Sequence, residues 1–263
     1  LAGEALDGMG QFDKSIHMLE QGLAIQPDQE RTWLALSDLC FKTQNQTRQL
    51  EVLRAGSVAV PDSTRIHFAL GNTLAAMNRH AEALSCYRRS AHLDPKHPGI
   101  FVALIETCRH LGLTTEARVF LQQAEQNCLN DAGLAYQRAV IQIMDGDRHQ
   151  GLVSLKLALE KEDAPLRWYV EYAEMVFAGD ATDVPSDPAD SEDALIILEA
   201  AGRRFPSEIA IQYWLAKARL ISGDIERAKA EFEDLMEVPG AADKEWRWRL
   251  LYGLGEILLL QHQ

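Results

Sequence analysis

Residues 66–95 read IHFALGNTLAAMNRHAEALSCYRRSAHLDP. Gly71 and Leu74 stand three apart, and Ala83, Tyr87 and Ser90 follow at steps of four and three. Each set marks one face of an α-helix. Asn78 lies between them, and asparagine accepts the left-handed conformation in which a helix commonly ends. Pro95 stops the second helix because it cannot donate to the next turn. The segment therefore predicts a helix, a tight turn and a second helix.

The same pattern recurs on both sides. Pro27, Pro61 and Pro95 are spaced 34 residues apart. If the closing proline is place 32 of each repeat, place 20 reads Ser15, Gln49, Ala83, Ala117 and Gly151, resuming at Ala194 and Ala228 after nine inserted residues. Place 24 reads Leu19, Leu53, Tyr87, Leu121, Leu155, Leu198 and Phe232, and place 27 reads Gly22, Gly56, Ser90, Ala124, Ala158, Ala201 and Leu235. Place 8 reads Gly3, Ser37, Gly71, Ile105, Ala139, Ala173 and Ala216. Place 15 is Gly10, Gln44, Asn78, Gly112, Gly146 and Gly223, a row of turn residues. Small side chains thus recur where helices must approach, and large ones where space must be filled.

The 34-residue period and its alternation of large, small, large and proline resemble the tetratricopeptide repeat. Leu70-Gly71, Ala83, Tyr87 and Pro95 carry the closest match, and Trp33 stands at the family's place-4 tryptophan. The resemblance covers essentially the whole chain. It implies an all-α, right-handed superhelical solenoid of about seven antiparallel hairpins plus a terminal helix. The expected repeats are 1–29, 30–63, 64–97, 98–131, 132–165, 166–208 with an insertion over 179–190, and 209–242, followed by a terminal helix over 243–263. The fifth repeat is weak, with Ala135 and Arg138 where larger apolar residues are expected and Asp163 in place of proline. The register slips again before the last helix, by about five residues if Gly255 takes place 8. Leu1 falls inside a first helix and the last helix lacks a hairpin partner, so the sequence reads as a piece of a longer protein.

Acidic residues outnumber basic ones by 39 to 26, a net charge of −13. That field disfavours nucleic acid and anionic membranes, and no apolar stretch reaches the ~18 residues of a membrane span. Cys40, Cys86, Cys108 and Cys128 show no metal-ligand spacing and read as small buried apolar residues. The eight histidines form no ligand pattern. No nucleophile elbow, phosphate loop or H-E-x-x-H motif occurs. These readings predict a non-catalytic chain without cofactor or metal, placed in the cytoplasm.

In the family the first helix of each hairpin lines a concave groove. Places 2, 5, 9 and 12 form the stripe that faces it. Arg31, Leu34 and Asp38 are the candidates in the second repeat, Arg65, Phe68 and Asn72 in the third, Val102, Glu106 and Arg109 in the fourth, Tyr136 in the fifth and Tyr213 in the seventh. Place 5 is apolar throughout, an arrangement suited to a bound helix or extended peptide; it also suits packing between neighbouring repeats. Leu34, Ala69, Gly99 and Ala103 stand where carboxylate-clamping relatives carry basic groups, so that adaptor reading is rejected. Place 6, with Ala35, Ala69, Ala103, Gln137, Glu171 and Trp214, lacks the asparagine ladder of glycosyltransferase relatives.

The expected function is a protein-interaction scaffold holding a peptide or helix. The alternatives are a recruiting arm of a larger enzyme such as a transferase, and a periplasmic arm of an envelope-assembly system. The acidic insertion reads as a loop, with Asp190 or Ser191 capping the next helix. Trp246 and Trp248 cannot face one side of a helix, so one should pack inward and the other is free for a partner. The terminal helix, 243–261, is also the candidate surface for self-association.

Overall fold

A computed structural model describes residues 11–128, 131–162, 164–177 and 188–261. Its regular elements are fourteen α-helices and a 3-10 turn at Pro239–Ala242. Helices α1 (Phe12–Ile25), α2 (Glu30–Lys42), α3 (Gln46–Ala59), α4 (Thr64–Ala76), α5 (His80–Leu93), α6 (Pro98–His110) and α7 (Thr114–Asn127) come first. They are followed by α8 (Ala132–Met144), α9 (Arg148–Leu159), α10 (Leu166–Phe177), α11 (Pro188–Arg204), α12 (Ile209–Ile221), α13 (Ile225–Met236) and α14 (Lys244–Gln261). The chain forms two compact halves, residues 1–141 and 142–263, with the division inside α8.

The repeat places explain where the helices turn. Gln44, Asn78, Gly112, Gly146 and Gly223 all have positive φ, between 57° and 90°. Each lets its chain reverse within three residues. The helix before each described closing proline ends one or two residues ahead of it, as α3 does at Ala59 and α5 at Leu93. Three of those proline carbonyls are used again: Trp33 Nε1 donates to the Pro27 carbonyl at 2.8 Å, His67 Nε2 lies 2.9 Å from that of Pro61, and Gln212 Nε2 donates to that of Pro206 at 3.3 Å. All three side chains occupy place 4. The repeat therefore reuses one hydrogen bond to tie a first helix to the loop before it.

In the first half, Leu53, Ile66, Leu70, Ala83, Tyr87, Leu104, Ile105, Leu121 and Ala124 share one core. Every place-24 residue, from Leu19 to Phe232, is buried, and so is every described place-8 residue. Close approach is tightest at Gly71, where a Cβ would meet Tyr87 Cε1 at 2.5 Å. Gly56 similarly admits Trp33, whose Cγ would stand 3.1 Å from an added Cβ. The second half is built around Leu198, Tyr213, Trp214, Phe232, Leu250 and Ile257. There Arg219 is buried and paired with Glu231 and with Glu199 at 3.3 Å.

Most of the insertion lies outside the described residues, as do Leu1, Gly3, Gly10 and Asp163. One expectation about it is corrected: α11 starts at Pro188, so Asp190 and Ser191 lie inside the helix and do not cap it. Proline opens the helix because its fixed φ suits the first turn and its missing N–H has no role there.

Candidate binding groove

The first-half candidates come from α2, α4, α6 and α8. Their spacing of three and four residues puts them on one side of each helix. Asp38 and Asn72 are exposed, and with Phe41, Gln49, Ala69 and Thr73 they line a cleft of about 230 Å³. Phe41 is an exposed aromatic ring in that cleft. Tyr87 links cleft and core: its hydroxyl donates to Asn72 Oδ1 at 2.8 Å. Burial, with the Glu106 carboxylate behind it, pushes the Tyr87 hydroxyl well above the ordinary tyrosine range. Tyr87 therefore remains a neutral donor, and the amide N–H groups of Asn72 stay available on the cleft side.

Phe68 is half-buried, its ring 5.8 Å from Tyr87 and 5.9 Å from His97. Leu34 is half-buried against the same core. Val102 packs directly on the next repeat, since a Cβ at Gly133 would meet Val102 Cγ2 at 2.8 Å. Place 5 thus packs on the core and on the neighbouring hairpin, and none of the three lines the Asp38–Asn72 cleft. Arg65 reaches Glu30 at 3.3 Å, while Arg31 is exposed in the first turn of α2. Arg109 donates to Gln137 at 2.9 Å, and Glu106 is half-buried beside it.

Two candidates fall elsewhere. Tyr136 is buried, and so is Tyr213 in the second half. Tyr213 lies within 5.1–5.8 Å of the rings of Trp214, Phe232 and Trp246. Both tyrosines are thus part of the core and not of an exposed wall. Trp214 is likewise buried and stacks on Phe177 at 6.2 Å. His110 stacks on His80 at 4.8 Å, which places it at a helix junction.

Some features escape a column-by-column reading. Glu20–Arg48, Arg54–Glu82, Arg88–Glu116 and Lys156–Asp193 are ion pairs between second helices of successive repeats. Each joins place 25 of one repeat to place 19 of the next. The signal was a complementary charge 28 residues away, or 37 across the insertion. A second, larger cleft of about 760 Å³ runs between α5 and α7, lined by Arg88, Ala91, Pro95, Phe101, Val119 and Phe120. Arg88 sits 5.9 Å from the Phe120 ring centre and covers its inner wall.

Cys40, Cys108 and Cys128 are buried and Cys86 is half-buried. Burial pushes all four thiols up, Cys108 to about 11. The raised values leave little thiolate at neutral pH, which slows their reaction. Among the described residues no cluster of histidine, cysteine and carboxylates is arranged to hold a metal, and no helix is long and apolar enough to cross a membrane.

The family model for the tetratricopeptide repeat matches residues 64–97, the stretch around the Gly71–Tyr87 contact. Residues 64–97 accordingly carry a tetratricopeptide repeat, set within a chain of helical hairpins. Solved structures agree over most of its length. The C-terminal part of a tetratricopeptide-repeat protein from Cytophaga hutchinsonii superposes with a TM-score of 0.64 at 13% identity, covering 96% of this chain and 98% of that one. A tetratricopeptide-repeat protein from Parabacteroides merdae gives 0.63 at 12% identity, covering 95% and 96%. The Pseudomonas aeruginosa pilF protein gives 0.62 at 15%, covering 82% and 94%. At these identities the likeness is one of fold. No curated protein matches the chain by sequence.

Proposed function

We propose that the chain is a non-catalytic scaffold whose first half holds a segment of another protein in the cleft between α2 and α4. The observation that carries this reading is the pairing of Asn72 with Tyr87 beside the exposed Phe41 ring. An amide held by its oxygen offers two N–H donors, which suits the carbonyls of an extended main chain. Phe41 offers apolar contact, and Asp38 favours a basic or N–H-bearing group opposite it. Ala69 and Ala76 give the cleft its small apolar lining, and Leu34, Phe68 and Val102, with Arg31, Arg65, Glu106 and Arg109, would extend contact along the first-helix stripe. Tyr136 and Tyr213 act from beneath the surface.

The test is capture by the purified chain from its source-cell extract, compared with an Asp38→Ala, Asn72→Ala variant. Both residues are exposed, so helix content should be unchanged, while loss of the acceptor for the buried Tyr87 hydroxyl should lower stability by about 1–3 kcal/mol, and capture is compared well below both melting points. The scaffold reading expects a partner retained by the natural chain and lost by the variant. Equal capture by both would place binding elsewhere, with the cleft between α5 and α7 next in line.

A further inference from the structure

Place 9 reads Asp38, Asn72 and Glu106 on the successive first helices α2, α4 and α6. The structure joins the three into one row. Asp38 and Asn72 line the same cleft. Asn72 Oδ1 accepts from the Tyr87 hydroxyl at 2.8 Å, and the Glu106 carboxylate acts electrostatically on that same hydroxyl. The row therefore runs carboxylate, amide, carboxylate.

The charges of this row call for a cation. Asp38 is the one charged side chain among the residues that line its cleft. Glu106 is half-buried, and among the described residues no cation stands in ion-pair contact with it. Arg109 follows it by three residues on the same helix but turns elsewhere: its Nη1 donates to the buried Gln137 at 2.9 Å. A half-buried carboxylate without a counter-charge is unfavourable, and a cation from outside relieves that penalty. The arginines of the stripe stand apart, at place 2. Arg65 is held by Glu30, and Arg31 precedes Asp38 by seven residues, about 10 Å along α2. The net charge of −13 also draws in basic groups.

The repeat also sets the spacing of those cations. Helix α4 packs on both α2 and α6. Packed helices stand about 8–10 Å apart, so Asp38 and Glu106 are roughly 16–20 Å from each other. An extended chain rises ~3.3 Å per residue and covers that distance in about five or six residues. Between the carboxylates Asn72 presents its amide N–H groups, since its oxygen is taken by Tyr87. Those donors need a carbonyl. A polyamine of the right length supplies two cations and no acceptor, whereas a peptide supplies both. Phe41, 67% exposed in the cleft with Asp38, offers a ring face on which a guanidinium or ammonium group can rest.

From these observations we infer that the first-half groove takes an extended basic segment of another protein. Two Lys or Arg side chains, five or six residues apart, lie one against Asp38 and Phe41 and the other against Glu106, with the main chain between them on Asn72. This rests on the groove reading and gives its occupant a chemistry.

The test is fluorescence anisotropy with labelled synthetic serine–threonine peptides that carry two arginines. The peptide with its arginines six residues apart should bind. Moving them to two residues apart, or replacing both with glutamate, should weaken binding at least about tenfold. Asp38→Asn and Glu106→Gln keep the size of each side chain, and circular dichroism checks that the helices remain. Each should weaken the six-residue peptide at least about tenfold. Spermine should compete only at concentrations about tenfold or more above those of the unlabelled peptide. Failure of the six-residue peptide to bind at about 1 mM would overturn the proposal. So would equal binding of the glutamate peptide, indifference to Glu106→Gln, or competition by spermine as strong as that of the peptide. If the proposal falls while a partner from extract is still lost by the Asp38→Ala, Asn72→Ala variant, the groove reading stands with an occupant of different chemistry.

Discussion

Gly71 and Gly255 both lie inside first or terminal helices with opposite surroundings, and this difference predicts opposite signs for one substitution. Alanine at Gly71 would put its Cβ 2.5 Å from the buried Tyr87 ring. Overpacking outweighs the gain in helix propensity, so Gly71→Ala should cost about 1–3 kcal/mol. Alanine at Gly255 meets nothing, and the helix should gain about 0.5–1 kcal/mol. Urea unfolding of both variants at a concentration where the chain is monomeric checks the pair. The thiols give a second residue-scale prediction. A raised pKa means less thiolate at a given pH, so at neutral pH a disulfide-exchange reagent should react slowly at the half-buried Cys86 and scarcely at Cys40, Cys108 or Cys128. All four should react once the chain is unfolded. Rapid labelling of Cys108 in the folded state would contradict its burial.

At the scale of the element, the turns carry the clearest prediction. Gln44 and Asn78 hold φ of 57° and 58°, a conformation that costs most side chains about 1–2 kcal/mol. Gln44→Gly should therefore raise stability by roughly 1 kcal/mol, and Asn78→Gly by less, because asparagine tolerates this region better. Thermal melts of the two variants would check both the sign and the order. These turns were legible because place 15 repeats a residue type. Helix faces were legible for the same reason: a column of Leu19, Leu53, Tyr87 and Leu121 has one physical meaning, a large side chain between two helices. Pairs that join different places were not. The ladder from Arg54 to Glu82 or Arg88 to Glu116 is invisible to any single column, and exposed pairs of this kind add little stability each. The depth of a groove position was equally hidden. Tyr136 and Phe68 share a place and a chemical type, yet Tyr136 is buried and Phe68 half-buried, a difference that no single column carries. The α14 tryptophans were half-legible: their spacing required opposite faces, and the structure shows Trp246 inward and Trp248 outward.

On the scale of the whole molecule, function follows from which faces the repeat leaves uncovered. Stacking buries places 8 and 24 and most of places 20 and 27, which leaves the first-helix stripe and the second-helix clefts uncovered among the described residues. A net charge of −13 adds a field that attracts basic partners, and capture by the groove should weaken as salt is raised. The central claim is that the α2–α4 cleft of the first half is where another polypeptide binds. The most direct measurement is site-specific photo-cross-linking in extract, with the reactive group placed at Phe41 or Asn72 and, for comparison, at Val119 in the cleft between α5 and α7. The account predicts that the same polypeptide is trapped from Phe41 and Asn72, and not from Val119. Capture from Val119 alone, or none from the two groove positions, would contradict it.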